Sequence, residues 1–338
     1  MTNELVLITG ISGFIGYATL VHALESGYQV RGIVRKASQI DKIKVVLPTH
    51  FHALVEFAVI DDLSAKGAFE KQMRGVIYAL HIASPMPGPF EDLERDFFRP
   101  AVDSTISLLS AAKASPTVKR IIITSSNAPF VPVTEFVQGK LTKEVLRSDD
   151  EICHYDMKIR FDNPQAAPIL AYAASKSMAL DAAEKFMETQ RPVFDLVVLM
   201  PAYVFGPNRL SRTPEDFAYG SNSFLLDHLL GRPGAPLMTS SVHIDDVAKT
   251  HVLSLKSFIP AGRYLLASGE TAGTDWSEAF QVIKKHFPEA VGATFVKDPE
   301  VRTIRVISDT LKAEQAFGIK FKSFKEQVKD AVGYYLSL

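Results

Sequence analysis

Tyr172 and Lys176 stand four residues apart in Tyr172-Ala173-Ala174-Ser175-Lys176, inside a segment from Ile169 to Thr189 that lacks Gly and Pro and is rich in Ala, Met, Leu, Lys and Glu. That composition predicts a helix, so the phenol and the ammonium lie one turn apart on one face, a pair suited to moving a proton. A second chemical feature opens the chain: Thr9-Gly10-Ile11-Ser12-Gly13-Phe14-Ile15-Gly16. It follows the apolar run Leu5-Val6-Leu7-Ile8 and precedes Tyr17 to Leu24, which reads as a helix ending at Gly27. A strand, a tight turn and a helix N-terminus offer unpaired N–H groups and partial positive charge to a pyrophosphate. Gly10 permits the turn, Gly13 the approach of the dinucleotide and Gly16 the packing of helix on strand. A third feature is Arg120-Ile121-Ile122-Ile123-Thr124-Ser125-Ser126, a buried strand ending in hydroxyls. Ligands of open parallel sheets collect at the carboxyl ends of strands, so a Ser, a Tyr and a Lys are expected to meet at one dinucleotide.

The elements that must position these groups follow from the rest of the pattern. Runs at Val30 to Val34, Val55 to Ile60, Val76 to Leu80, Val118 to Thr124 and Leu196 to Leu199 read as strands alternating with helical stretches. This predicts an α/β fold, a Rossmann-type doubly wound parallel sheet with a smaller C-terminal substrate-binding lobe. The expected division is 1–207 with 239–268 for the dinucleotide-binding domain, and 208–238 with 269–338 for the lobe. The charged, Pro-containing piece from Asn127 to Pro168, between Ser126 and Tyr172, is expected to form a wall of the substrate pocket.

At 338 residues the chain can bury a large core. A net charge of -1 gives no electrostatic case for nucleic acid or an anionic membrane. The single cysteine, Cys153, excludes an internal disulfide, and no apolar run reaches the ~18 residues of a membrane span, so the cytoplasm is the expected compartment. His50-Phe51-His52 lacks the spaced Cys or His-Glu partners of a zinc site, and no metal is expected. The absence of a Gly-x-Ser-x-Gly elbow argues against a hydrolase nucleophile.

The residues resemble the extended branch of the short-chain dehydrogenase/reductase superfamily, and within it the dihydroflavonol-reductase-like group of aldehyde, methylglyoxal and ketone reductases. The likeness spans nearly the whole chain. Besides the glycine turn and Tyr172/Lys176 it rests on His81-Ile82-Ala83-Ser84-Pro85, Thr124-Ser125-Ser126, Pro201-Ala202-Tyr203-Val204-Phe205-Gly206-Pro207 and Val242-His243-Ile244-Asp245-Asp246-Val247-Ala248. The resemblance implies NADPH-dependent reduction of an aldehyde or ketone. Tyr172 would be the general acid, Lys176 the residue that binds nicotinamide ribose and favours tyrosinate, and Ser126 the hydroxyl that holds the carbonyl, with Ser125 as the alternative. Lowering a phenol from ~10 by ~2–3 units takes about 3–4 kcal/mol, the order of an ammonium ~4 Å away at an effective dielectric of ~20.

Cofactor choice is expected after the second strand, where Gln29 to Val34 ends at Arg35-Lys36 with no carboxylate in the turn. Arg35 matches a phosphate-binding arginine, which favours NADPH over NADH; Arg31 and Lys36 read equally well as surface charges. Asp62-Leu63 resembles an adenine contact, although Asp61 or Asp62 would serve as the N-cap of a helix over Ser64 to Gln72. Further dinucleotide contacts are implied for Thr9, Ser12, Phe14, Ile15, Ala83, Ser84, Pro85, Pro201 and Val204. Met86, Pro87, Phe90, Phe97, Asn127, Phe130, Tyr203 and Phe224 are candidates for lining a pocket for an apolar or aromatic carbonyl compound, each with a competing reading as a core contact. Relatives more often carry Asn-Gly at Asp103-Ser104, and Asp103 is given no catalytic role. A nucleotide-sugar epimerase or dehydratase, a steroid dehydrogenase and a catalytically silent NADP sensor stay as alternatives. Dehydratases of this branch place an acidic pair after the catalytic hydroxyl, where Asn127-Ala128 stands. Some relatives pair through helices like those at 97–115 and 171–190 and others are monomers, so a homodimer is one of two open arrangements.

Overall fold

The protein is described from a computed structural model that covers residues 4–86, 90–139, 141–163, 166–232, 236–268, 273–297 and 301–338. Seven strands form its main sheet: β1 (Leu5–Thr9), β2 (Gln29–Val34), β3 (Val55–Val59), β4 (Val76–His81), β5 (Arg120–Thr124), β6 (Asp195–Pro201) and β7 (Gly262–Leu266). All neighbours pair in parallel, in the order β7-β6-β5-β4-β1-β2-β3. Chain order reverses between β1 and β4, and a doubly wound sheet opens its ligand crevice at that reversal, beyond the carboxyl ends of the strands.

The near-continuous apolar character of the strands follows from burial on both faces. Leu7, Ile33, Ala79, Ile121 and Val198 point into one core, while Val6, Ile8, Val30, Leu80, Ile122 and Val197 point into the other. The first core lies under α2 (Arg99–Ala114) and α3 (Ala167–Gln190), the second under α1 (Phe14–Glu25) and α4 (Ile244–Leu253). A π-helical turn at Glu94–Phe98 leads directly into α2.

Short strand pairs build the remainder: Tyr203–Phe205 with Ser241–His243, Leu237–Met238 with Thr303–Ile304, and Val145–Leu146 with Ile307–Ser308. The last pair ties the insertion after β5 to the C-terminal part of the chain. Trp276, 1% exposed, packs edge-on against Tyr203, Phe205 and Phe324 at the centre of this region. Ala313, Phe317 and Phe321 instead pack on the sheet core with Tyr264 of β7. The helix expected over Ser64 to Gln72 is absent; the segment runs through turns, with Gly67 at φ +78° in the left-handed region that interrupts a right-handed helix. Among the described residues no helix is long and apolar enough to cross a membrane.

Candidate active site

The glycine turn closes β1 onto α1. Gly10 has φ +76°, and a Cβ there would lie 2.8 Å from the Ala83 backbone nitrogen. A Cβ on Gly16 would lie 2.0 Å from the Gly10 carbonyl oxygen, so the helix sits directly on the turn. Gly13 is the N-cap of α1, exposed and extended, with no capping side chain and no acidic residue in the first turn. The helix N-terminus therefore keeps its free N–H groups and positive end for an anion. Ser12, Phe14 and Ile15 are half-buried around it. Thr9 lies behind the turn: fully buried, its hydroxyl accepts from the Ile82 and Ala83 N–H groups at 3.0 Å and meets His81 Nδ1 at 3.1 Å. Its part is to join the ends of β1 and β4. The half-buried Ala83, Ser84 and Pro85 continue the same rim, and Pro201 at the end of β6 and Val204 just after it are buried.

Ser126, Tyr172 and Lys176 come together at the carboxyl end of β5. The Ser126 hydroxyl accepts from the Ala128 N–H at 3.2 Å and lies against the Tyr172 phenol, whose pKa it draws down. Burial is the larger influence on Tyr172 and raises its pKa, so the phenol holds its proton at neutral pH. The ammonium of Lys176 donates to the Thr124 carbonyl at 3.1 Å and sits 5.8 Å from the Tyr172 ring centroid. Burial pushes this ammonium down to about 8. Here the ammonium is turned toward a backbone carbonyl, and desolvation raises the phenol rather than the lysine lowering it. Ser125, by contrast, is buried with its hydroxyl unpartnered.

One residue that sequence reasoning missed, His251, holds this arrangement. The Thr124 hydroxyl meets His251 Nε2 at 2.7 Å, while His251 Nδ1 bonds the Val247 carbonyl at 2.7 Å. Burial holds His251 neutral, pushing it down to about 4, so Nδ1 donates to the carbonyl and Nε2 accepts from the threonine. His81 is likewise buried and pushed down to about 3, by desolvation first and the Lys176 charge second. No spacing in the chain relates position 251 to position 124; the sheet and α4 bring them together.

At the other end of the crevice Arg35 is exposed and, among the described residues, makes no ion pair. Its backbone N–H and that of Lys36 donate to Gln39 Oε1 at 3.0 and 3.1 Å, which shapes the turn. Arg31 is different: it is ion-paired to Glu56 and donates to the Gln72 and Arg74 carbonyls, a structural anchor. One Asp62 carboxylate oxygen accepts from the N–H and hydroxyl of Ser64, and Leu63 packs against the core. An exposed arginine, a glycine turn and an uncapped helix N-terminus fit a phosphorylated dinucleotide. Asp103 is exposed on α2, away from this chemistry.

Beside Ser126 and Tyr172 opens a cavity of about 740 Å³, with none of the glycine turn in its lining. Met86, Asn127, Tyr203 and Phe224 line it as expected, and the insertion from 127 to 168 supplies a wall. Phe90, Phe97 and Phe130 do not. Phe97 is fully buried, stacked on Phe90 at 4.8 Å and packed with Ala171, Ala174 and Met178; Phe130 lies in the sheet core. Pro87 falls outside the described residues. His228 and Arg302, which the sequence reading did not single out, line it together with Arg232, one of the arginines that keep a nucleotide-sugar diphosphate open as an alternative. No group of three or more His, Cys, Asp or Glu among the described residues could hold a metal ion.

Comparison with known proteins places this geometry. The model of the NAD dependent epimerase/dehydratase family matches residues 6–266. Ketoreductase sphI of Aspergillus fumigatus is 34% identical over 342 residues, covering 99% of this chain and 98% of that protein. Ketoreductase CTB6 of Cercospora beticola is 32% identical, covering 100% of this chain and 96% of its own. Among solved structures, yeast methylglyoxal/isovaleraldehyde reductase Gre2, complexed with NADPH, superposes with a TM-score of 0.81 at 24% identity, covering 99% and 98% of the two chains. At that identity the likeness speaks for the fold.

Proposed function

We propose that this chain, which belongs to the NAD dependent epimerase/dehydratase family, is an NADPH-dependent reductase that turns a ketone or aldehyde into an alcohol. What supports the reading most is the meeting of a buried hydroxyl, a half-buried protonated phenol and a buried ammonium between a dinucleotide-type glycine turn and a large cavity. The names of the ketoreductase relatives agree with it.

Ser126 and Tyr172 donate hydrogen bonds to the carbonyl oxygen and hold its carbon at the crevice. The dinucleotide, when bound, supplies a hydride to that carbon. Tyr172 gives its proton to the developing alkoxide, and a phenol kept protonated by burial is in the state this step needs. Lys176, held by the Thr124 carbonyl, presents positive charge that stabilises the tyrosinate left behind and offers N–H donors to the nicotinamide ribose. Arg35, without a competing carboxylate, favours the ribose 2′-phosphate and hence NADPH over NADH. Gly13 and the helix N-terminus would hold the pyrophosphate, with Gly10 and Gly16 letting turn and helix pack closely behind it.

The test is oxidation of NADPH and of NADH by the purified protein, followed by loss of reduced-nicotinamide absorbance, against aldehydes, α-keto esters, diketones, aryl ketones and steroids. Turnover with NADPH is expected. Silence across the panel, with dinucleotide retained through purification, overturns the reading in favour of a nucleotide-sugar enzyme or a sensor.

A further inference from the structure

The cavity beside Tyr172 holds more polar recognition than carbonyl reduction requires. Three of its lining side chains, Asn127, Tyr203 and His228, are 2%, 9% and 8% exposed. Asn127 Nδ2, Tyr203 Oη and His228 Nε2 are all buried without a hydrogen-bond partner among the described residues. The Met238 backbone approaches the Tyr203 phenol without meeting hydrogen-bond geometry. An unmatched buried polar group costs about 1–3 kcal/mol, and native cores rarely keep such groups without a use.

Tyr203 lies close enough to Tyr172 for the two phenols to influence each other's ionisation. On its other side Tyr203 packs edge-on against Trp276 at 6.2 Å, and Trp276 packs edge-on against His228 at 6.3 Å. Tyr203, beside Tyr172, and His228 are thus joined through the buried Trp276. Burial keeps His228 neutral, pushing it down to about 4. Nε2 is left without a hydrogen-bond partner among the described residues, in a lining that also carries Asp227, Arg232 and Arg302. A hydroxyl, which both donates and accepts, completes this nitrogen in either tautomer of a neutral imidazole.

We propose that His228 is a specificity residue of this cavity and that the substrate is a bulky ketone carrying a hydroxyl, phenolic or alcoholic, at the end remote from the reacting carbonyl. The inference rests on the reductase reading and deepens it. A cavity of about 740 Å³ lies in the upper part of the range for ligand pockets, far larger than a two- or three-carbon aldehyde needs. The hydroxyl bonds His228 Nε2, while Asn127 and the Tyr203 phenol are available to oxygen atoms between the two ends.

The experiment uses a homologous series of phenylalkyl methyl ketones, each paired with its para-hydroxy form, so that the carbonyl-to-hydroxyl span is scanned. Two readouts are taken on the full chain: kcat/KM with NADPH, and quenching of Trp276, the chain's only tryptophan and a neighbour of His228. A site built to bond a hydroxyl rejects the analogue that lacks it, and a preference of roughly 10- to 100-fold for the hydroxylated ketone is expected at one chain length. His228→Phe should bring the ratio within each pair to about twofold, whereas His228→Gln, which keeps an acceptor, should retain a preference. A wild-type ratio near one at every length, or a ratio unchanged in His228→Phe, overturns the proposal. Quenching measures binding without turnover, so loss of the reductase reading and loss of the hydroxyl preference are seen separately.

Discussion

Replacing Lys176 by Met should make the protein inactive yet more stable at neutral pH. Lys176 is buried, and its ammonium is pushed from 10.5 to about 8 by desolvation. A shift of that size corresponds to about 3 kcal/mol by which folding disfavours the charged form at pH 7. Its hydrogen bond to the Thr124 carbonyl returns about 1 kcal/mol, so Lys176→Met, of similar length and without charge, is expected to gain about 2 kcal/mol. The sign follows from linkage: between the folded and unfolded pKa values the unfolded chain binds more protons, so wild-type stability rises as pH climbs from about 8 toward 10.5. The advantage of Lys176→Met should therefore shrink by about 2 kcal/mol between pH 7 and pH ~9.5. For 338 residues the unfolding entropy is about 0.7 kcal/mol/K, which makes the effect about 3 °C in Tm. Calorimetry of both proteins without dinucleotide, at the two pH values, reads this double difference. A variant that melts lower than wild type at pH 7, or a gap independent of pH, would refute the claim that desolvation governs this lysine.

Tyr172→Phe should lower kcat by about 100- to 10,000-fold with NADPH affinity unchanged, since it removes the proton donor and nothing the dinucleotide phosphates touch; retained turnover defeats the assignment. Arg35→Ala should raise KM for NADPH by about 10- to 100-fold, the value of one charge-assisted contact, and leave KM for NADH nearly unchanged; equal effects on both would reduce Arg35 to a surface charge. Ser126→Ala should lose far more activity than Ser125→Ala, because Ser126 lies against Tyr172; the reverse order would transfer the role to Ser125. Gly16→Ala places a Cβ 2.0 Å from the Gly10 carbonyl, and should abolish NADPH binding, destabilise the fold by more than ~2 kcal/mol, or both; a variant that binds and melts like wild type contradicts the packing argument.

The chemistry that depends on local spacing was legible in the chain. Gly10, Gly13 and Gly16 act within one turn and the helix it opens, and Tyr172 and Lys176 lie one turn apart on a helix whose composition announces it, so nearest-neighbour geometry suffices. The sheet was equally readable, because strands buried on both faces carry continuous apolar runs, such as Leu5-Val6-Leu7-Ile8 and Ile121-Ile122-Ile123. What decided Phe90, Phe97 and Phe130 was long-range packing: an aromatic ring in a loop serves a pocket or a core equally well until the neighbouring helices are in place. The same holds for electrostatics. A phenol and an ammonium at helical spacing suggest mutual stabilisation, but only the fold sets how deeply they are buried, and here burial keeps the phenol protonated and pulls the ammonium down. His251 behind Thr124 and His228 across the cavity carry no local signature at all, because their partners lie on elements distant in the chain and hydrogen bonds act through space rather than along sequence.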